Sequence, residues 1–424
     1  MHALALPFSC TQEEDARNAD KGRTSRGDAL PCSRTREKVR EARMRAIEVG
    51  ARIGAGSPVI VSNAPAAPAN RHPAVRSHHI RRCTVRAGLM EITMRKRVCT
   101  LMLALASSPL LAQEASYGPR LEGFDYPHPV KTYAFTSQQQ PLEMAYLDVA
   151  PTGTPNGHTA VLLHGKNFCA ATWEDSIAAL SKAGYRVIAP DQIGFCKSSK
   201  PAAYQFSFAQ LADNTHALLK TLGIERAVVV GHSMGGMLAI RYALMHPQAT
   251  EHLALVDPIG LEDWKAEGVP WRSVDAWYDN ELKTSFERIK KYQMDVYYAG
   301  QWKPAFERWA RMQAGMSLGK GKQAVAWNQA LTYDMVFNQP VVYELPKLAV
   351  PTTLFIGLKD RTAIGKDTAP TDVKARVGDY TKLGKRAAAA IPNAKLIEFA
   401  DLGHSPQVQD PARFNAALLK AIAP

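Results

Sequence analysis

The chain of 424 residues lacks the patterns that usually mark a bound metal or organic cofactor. It has six cysteines and twelve histidines, but within residues 113–424 these form no cluster with the spacing of metal ligands. The same region has no glycine-rich loop suited to the phosphates of a nucleotide. The sequence therefore predicts a protein that needs no metal and no cofactor.

A broad excess of positive charge is also absent, although the formal net charge is +13. Residues 1–93 hold 16 Lys and Arg against 9 Asp and Glu, whereas residues 113–424 hold 33 against 30. The main body is thus close to neutral. Because binding to nucleic acid depends on a basic surface, we expect no nucleic-acid partner.

No apolar run reaches the roughly 20 residues that a membrane-spanning helix needs. The nearest candidate is "MRKRVCTLMLALASSPLLA" at 94–112, which has three basic residues, a short apolar stretch, a Ser/Pro break and a small residue before Gln113. This layout is typical of a secretory signal peptide. It predicts an exported protein, periplasmic or secreted, with no stable membrane span after signal removal.

The position of this signal, more than ninety residues into the chain, needs an explanation of its own. Because a signal peptide acts from the N-terminus, we interpret Met94 as the true start and residues 1–93 as a non-native upstream extension or a disordered leader. That stretch has 14 Arg but only 2 Lys, and no sustained helix or strand period. The mature protein would then begin at Gln113.

Residues 113–424 alternate short apolar runs with helical patterns, which is typical of an α/β protein with a mostly parallel sheet. Alternating patterns at 131–137 and 142–150 predict an antiparallel pair at the sheet edge. Six buried strands are predicted at 159–165, 185–191, 226–233, 252–258, 351–357 and 394–400. Ser207 is expected to cap a helix that Gly223 ends.

One connection, residues 258–350, is too long for a simple loop. Its pattern is helical, and it contains six of the seven tryptophans, at 264, 271, 277, 302, 309 and 327. We interpret it as an inserted helical lid, with a core formed by residues 113–257 and 351–424. Several of these tryptophans will be ordinary helix core, yet their number predicts an apolar pocket beneath the lid.

The stretch "VVVGHSMGG" places Gly231, Ser233 and Gly235 in a G-x-S-x-G pattern between an apolar strand and a helix. The glycines leave room for a sharp turn that presents the Ser233 hydroxyl above the sheet. The N–H of Met234 would then point at an oxyanion formed on Ser233. Ser233 is therefore the candidate nucleophile.

A nucleophilic serine needs a base, and the base needs an acid that orients it. His404 in "FADLGHSP" follows the last strand and is the candidate base. Asp360 in "FIGLKDRT" follows the strand after the lid and is the candidate acid, while Asp257 before the lid is the alternative.

A second oxyanion donor is expected in the turn that follows an earlier strand. In "LLHGKNF", Gly165 lets the backbone turn, and the N–H of Lys166 would meet that of Met234. The side chain of Lys166 is either solvated or favours an anionic substrate, and the sequence does not separate these two interpretations.

These motifs resemble the α/β-hydrolase superfamily, of the type with a lid. The landmarks are "HG" at 164–165, "DQIGFCKS" at 191–198, "GHSMGG" at 231–236, the Asp360 turn and "GHSP" at 403–406. The resemblance implies an eight-stranded, mostly parallel sheet with helices on both faces. It also implies a triad of Ser233, His404 and Asp360 at the carboxyl ends of the strands.

The resemblance also implies a class of chemistry. We expect a serine esterase that cleaves a small hydrophobic or aromatic carboxylic ester through an acyl-enzyme. A C–C bond hydrolase or lactonase with the same triad is one alternative, and an inactive hydrolase-fold binding protein is another. A serine at position 233 excludes the related dehalogenases and epoxide hydrolases, which have an aspartate there. The sequence does not indicate an oligomeric state.

One departure from the family pattern is Cys196, which stands where a second glycine is common. In this fold the strands ending at His164 and Asp191 are neighbours, which brings Cys196 close to Cys169. Because an exported protein meets an oxidising compartment, we predict a Cys169–Cys196 disulfide that stiffens the oxyanion loop. Such a bond would contribute roughly 3 kcal/mol, and two buried free thiols are the alternative.

Overall fold

A computed structural model describes residues 115–423 of the chain. The predictions on the leader at 1–93 and on the signal peptide at 94–112 lie outside these described residues. Within them, no helix combines the length and the apolar character that crossing a membrane requires.

Eight strands form one sheet, in the spatial order β1-β2-β4-β3-β5-β6-β7-β8. The strands are β1 (Val130–Ser137), β2 (Gln140–Val149), β3 (Thr159–Leu163), β4 (Arg186–Pro190), β5 (Ala227–His232), β6 (Thr250–Val256), β7 (Thr352–Gly357) and β8 (Ala394–Phe399). The β1–β2 and β2–β4 pairs are antiparallel, and all other pairs are parallel. The predicted fold class and the antiparallel edge pair are confirmed.

Strand β8 is not the buried strand that the sequence predicts. Only Phe399 of its six residues is fully buried, and the others are partly or fully exposed. The reason is its place in the sheet, because β8 pairs only with β7 and forms the far edge.

Eleven α-helices are found among the described residues. They are α1 (Glu174–Lys182), α2 (Phe208–Thr221), α3 (Met234–Met245), α4 (Val274–Glu281), α5 (Phe286–Tyr292), α6 (Pro304–Leu318), α7 (Lys322–Asn338), α8 (Thr371–Arg376), α9 (Tyr380–Ala390), α10 (Pro406–Gln409) and α11 (Pro411–Ala421). Short 3₁₀ turns occur at Ala170–Trp173, Pro247–Ala249, Val342–Lys347 and Lys366–Thr368, and a π-helical turn at Gln293–Tyr297. Helix α2 begins as predicted, because the Ser207 side chain accepts a hydrogen bond from the Gln210 N–H.

The sheet separates two apolar layers, as the alternation of side chains along a strand requires. On β5, Val229 belongs to the larger layer, which also contains apolar residues of α2, α3 and α9. Its neighbours Val228 and Val230 point to the other face, where they pack with residues of α1 and α11. Both faces of the central strands are therefore covered, which leaves the ends of the strands as the places where a site can form.

The inserted segment, residues 258–350, lies between β6 and β7 and contains helices α4 to α7. Its tryptophans are used in different ways. Trp264, Trp277 and Trp309 are buried, whereas Trp271 is 62% exposed. Much of the aromatic content therefore forms the packing of the segment itself, as the sequence suggested for part of it.

Candidate active site

The turn between β5 and α3 places the Ser233 hydroxyl beyond the end of the sheet. Ser233 has a φ of 56°, in the left-handed region that costs a non-glycine residue energy. Its glycine neighbours are needed because the backbone is crowded: a Cβ on Gly235 would lie 2.2 Å from the Leu163 carbonyl oxygen. A Cβ on Gly231 would lie 2.2 Å from the carbonyl oxygen of Gly235. The tight packing of β3, β5 and α3 thus holds the turn in its strained form.

His404 lies between Ser233 and Asp360. Its Nε2 is 2.8 Å from the Ser233 Oγ, and its Nδ1 is 2.6 Å from Asp360 Oδ2. An ionised carboxylate can only accept a hydrogen bond, so Nδ1 carries the proton and Nε2 offers a lone pair to the serine hydroxyl. The structure therefore brings together the three residues that the sequence singled out, in the order needed for proton transfer from serine to histidine.

Asp360 follows β7 and is held by the backbone as well as by His404. Its Oδ1 accepts a hydrogen bond from the Thr362 N–H at 2.7 Å, and both Asp360 and His404 have no exposed surface. Each oxygen of the carboxylate therefore has a separate donor, which fixes the direction in which Oδ2 faces the imidazole.

Asp257, the alternative acid, is buried at the end of β6 but makes no hydrogen bond to His404. Its Oδ1 accepts from the Gly357 N–H at 2.9 Å, and its Oδ2 has no partner among the described residues. Burial raises the pKa of Asp257 well above its ordinary value, and the nearby Asp360 carboxylate raises it further. Its surroundings therefore disfavour the ionised form of Asp257.

The two expected oxyanion donors flank Ser233. Met234 is the first residue of α3, so its N–H has no acceptor within the helix and lies at the positive end of the helix dipole. On the other side, the turn at Gly165 packs directly on the serine: a Cβ on Gly165 would lie 3.0 Å from Ser233 Cβ. The Lys166 N–H follows this contact. Neither N–H makes a backbone hydrogen bond within residues 115–423.

The Lys166 side chain is not solvated, so that interpretation is wrong. Its Nζ donates to Gln329 Oε1 at 2.6 Å and lies 3.4 Å from the centre of the Tyr333 ring, both on α7. Burial lowers the pKa of Lys166 to about 8, an effect that the charge of Glu281 partly opposes.

His232 is a site residue that the sequence reasoning missed. Its ring lies 2.8 Å, through Nε2, from the carbonyl oxygen of His404, and this oxygen can only accept. Nε2 therefore carries the proton. Burial lowers the pKa of His232 well below its ordinary value, and the neighbouring His404 lowers it further. A buried neutral imidazole thus supports the loop of the candidate base. The feature of the sequence that could have pointed to His232 is its position directly before Ser233.

Tyr297 is a second residue that was missed, and it comes from the inserted segment. Its ring packs on that of His404, with centroids 4.9 Å apart. Nothing local in the sequence marks this contact, since Tyr297 lies more than a hundred residues from His404 along the chain.

A cavity of about 460 Å³ is lined by Asn167, which bonds Tyr297, and by Thr362, whose N–H bonds Asp360. It lies beside the candidate triad, but Ser233, His404 and Asp360 are not part of its lining. Aromatic rings of the inserted segment contribute to the lining, but so do charged side chains. The charged ones are Arg272, Glu281, Arg288, Lys291, Asp295, Arg361, Lys366 and Asp367. The cavity is therefore more polar than the tryptophan content of the segment suggests.

Cys169 and Cys196 lie beside the oxyanion turn and are joined in the structure, with Cα atoms 5.9 Å apart. Together with Asp191 they are also the one group of close potential metal ligands among residues 115–423. Asp191 does not suit a metal, because its oxygens already accept from the Tyr126 hydroxyl and from the N–H groups of Ala170 and Lys197. The arrangement fits a structural bond better than an ion site.

The fold and the geometry around Ser233 define a class of protein. A profile of the alpha/beta hydrolase fold family matches residues 161–411, more than half of the chain. The chain belongs to the α/β-hydrolase family and is an enzyme of that family, which acts on small molecules.

Individual relatives are also similar. The crystal structure of a "probable hydrolytic enzyme" from Pseudomonas aeruginosa PAO1 is 65% identical, with a TM-score of 0.73, covering 74% of this chain and 100% of that one. "Putative carbamate hydrolase RutD" of Serratia proteamaculans is 25% identical over 65% of this chain and 94% of its own. The 2-hydroxymuconate semialdehyde hydrolase of Pseudomonas putida is 25% identical over 61% of this chain and 84% of its own.

We predict that peptide mapping without reduction will recover Cys169 and Cys196 in one cross-linked peptide. The two residues are 27 positions apart, and opening such a loop should lower the free energy of unfolding by about 3 kcal/mol. Denaturant unfolding of the Cys169→Ala/Cys196→Ala double variant measures this loss. Recovery of two separate, alkylatable thiol peptides from the untreated protein would show that the bond is absent.

Proposed function

We propose that this enzyme is a serine hydrolase that cleaves a small hydrophobic or aromatic carboxylic ester through an acyl-enzyme. The observation that carries the proposal is the unbroken set of hydrogen bonds from Ser233 through His404 to Asp360. This is the arrangement that makes a serine hydroxyl nucleophilic.

In the acylation step, the Ser233 Oγ attacks the ester carbonyl carbon while its proton passes to Nε2 of His404. The N–H groups of Lys166 and Met234 stabilise the oxyanion that forms. The alcohol leaves with the proton from His404, and the acyl group remains on Ser233. In the second step His404 takes a proton from water as the hydroxide attacks the acyl carbon; the bond to Ser233 Oγ then breaks, His404 returns the proton to this oxygen, and the carboxylic acid is released. Asp360 stabilises the imidazolium in both steps.

The cavity supports a small substrate. Its volume of about 460 Å³ lies within the usual range for small-molecule pockets. Trp277, Tyr292 and Tyr333 offer flat apolar surfaces to a hydrophobic or aromatic group. We propose that the inserted segment is a lid over this cavity, because it supplies these rings and leaves Ser233 only 4% exposed.

A second candidate is hydrolysis of a C–C bond, with lactone hydrolysis as a further use of the same residues. One relative is named for 2-hydroxymuconate semialdehyde, an acid that has no ester bond. The cavity also has basic groups that suit a substrate carboxylate, among them Arg288, Arg361 and Lys366. Comparing turnover of aryl esters, lactones and a 2-hydroxy-6-oxo-dienoate separates the candidates.

Treatment with a fluorophosphonate is expected to add one phosphonyl group to the protein, and none to Ser233→Ala. The reason is that only a serine activated by a base reacts quickly with this reagent. Intact-mass analysis measures the adduct, and Ser116→Ala, at an exposed serine, is the control that should react normally. A folded wild-type protein that takes up no phosphonyl group would instead favour the inactive binding protein.

The two buried acids are expected to behave differently. Asp360→Asn should lower kcat by about 10³–10⁴-fold, because the wrong tautomer of His404 is then favoured. Asp257→Asn should change kcat by less than about tenfold, since an amide is a close match for the neutral carboxyl group that burial favours there. Steady-state kinetics on an aryl ester checks both. The reverse ranking would assign the orienting role to Asp257.

We also propose that the protein is exported through the segment at 94–112 and works in the periplasm or outside the cell. The Cys169–Cys196 pair supports this, because disulfides persist in oxidising compartments. N-terminal sequencing of the protein from its native host should then find Gln113 as the first residue. A tryptic peptide from residues 1–93 in that material would contradict the proposal.

A further inference from the structure

The oxyanion turn is joined to the inserted segment through the side chain of Lys166. This side chain is 7% exposed, and its ammonium group is bonded to Gln329 and faces the Tyr333 ring. Removing a lysine charge from water is costly unless the group finds partners. The two partners are one helical turn apart on α7, so a single helix face receives the whole ammonium group.

The next residue of the turn, Asn167, is joined to a different part of the segment. Its Nδ2 donates to the Tyr297 hydroxyl at 2.7 Å, and its Oδ1 accepts from Gln313 Nε2 at 3.1 Å. Gln313 lies on α6, and Tyr297 is the residue that packs on His404. Two consecutive residues of the turn are thus bonded to separate helices of the segment.

The Tyr333 ring is itself held in place. It stacks on Trp277 of α4 with centroids 4.6 Å apart and an angle of 11° between the planes. The guanidinium carbon of Arg272 lies 4.5 Å from the centre of the Trp277 ring, and Arg272 is paired with Asp367. The Lys166 side chain therefore rests on a stack that continues toward the loop after Asp360.

The core holds the ends of the turn, because His164 Nδ1 lies 2.8 Å from the Gly165 carbonyl oxygen and Gly165 packs on Ser233. Gly165 has no side chain, and the backbone hydrogen bond that closes the turn runs from the Phe168 N–H to the Gly165 oxygen at 3.1 Å. Between these two residues lie Lys166 and Asn167, whose side chains both enter the inserted segment. The orientation of the peptide group that carries the Lys166 N–H thus depends on contacts with the inserted segment as well as on the core.

We infer that three residues of the inserted segment are positioning residues that set the direction of the Lys166 N–H. Gln329 and Tyr333 act through Lys166, and Gln313 acts through Asn167. This inference rests on the proposed function, in which that N–H stabilises the oxyanion. The inserted segment would then assemble part of the catalytic site as well as cover the cavity. An interaction realised only in the transition state alters kcat, whereas a cover that only binds substrate alters KM.

The inference has a consequence for pH. Glu281 on α4 and the Tyr333 ring on α7 face the Lys166 ammonium, and burial lowers its pKa to about 8. The charged form, and with it the attraction to the ring, is lost as the pH rises through this value. The wild-type kcat should therefore decline above about pH 8, and Lys166→Met should lack this decline.

The decisive experiment measures the rate constant of phosphonylation by a short-chain fluorophosphonate, with kcat and KM on an aryl ester, in the full-length chain. Loss of a whole oxyanion donor lowers kcat about 10²–10³-fold. A misdirected donor in Gln329→Leu should therefore lower kcat and the rate constant of phosphonylation about 10–100-fold. KM should change less than about threefold. Gln329→Glu should restore the rate, because a carboxylate accepts the same hydrogen bond. Gln323→Leu, on the exposed face of the same helix, should equal the wild type.

The outcomes are distinguishable. A Gln329→Leu variant with wild-type phosphonylation, or with a raised KM alone, overturns the inference and leaves the proposed function intact. Wild-type protein that is never labelled on Ser233 overturns the proposed function itself. If Gln329→Leu fails to fold, Lys166→Met and Asn167→Ala decide, because both retain the backbone N–H groups of the turn. Wild-type rates in both would overturn the inference as well.

Discussion

The close approach of three backbone segments at the end of the sheet is the constraint on which the site depends. The turn at Ser233, with its positive φ, requires glycine on both sides, because a Cβ at Gly231 would meet the Gly235 oxygen and a Cβ at Gly235 would meet the Leu163 oxygen of β3. The same crowding places the turn at Gly165 against Ser233. The favourable free energy of packing the buried strands thus offsets the cost of the strained Ser233 backbone, which directs the hydroxyl away from the core.

Around this serine, the structure limits the number of buried charges. Burial disfavours the ionised forms of Asp257 and His232, which leaves Asp360 as the buried carboxylate that faces His404. A charged His232 would repel the imidazolium that forms on His404, and a charged Asp257 would compete with Asp360 for it. In the proposed mechanism, disfavouring charge on these two neighbours leaves Asp360 as the group that stabilises the imidazolium of His404.

The sequence was informative where chemistry is local. Six strands could be predicted because each is a short apolar run, and the edge pair because its residues alternate. Ser233 could be singled out because its motif occupies consecutive residues. The choice of Asp360 over Asp257 could only be favoured, since both end neighbouring strands and the deciding contact is three-dimensional. Gln329 and Tyr297 could not be found, because they contact residues 163 and 130 positions away. Strand β8 was misjudged because apolar content does not reveal a sheet edge.

The bonds of Lys166 and Asn167 to the inserted segment also bear on how such enzymes can be recombined. Segments of this kind are attractive units for grafting, since they leave and rejoin the core at adjacent strands β6 and β7. In this protein, Lys166 and Asn167 of the core are bonded to residues of the inserted segment. A segment grafted from another enzyme would not supply these hydrogen-bond partners. Chimeras of this fold would therefore need to exchange residues 166 and 167 together with residues 258–350, although the two stretches are far apart in the sequence.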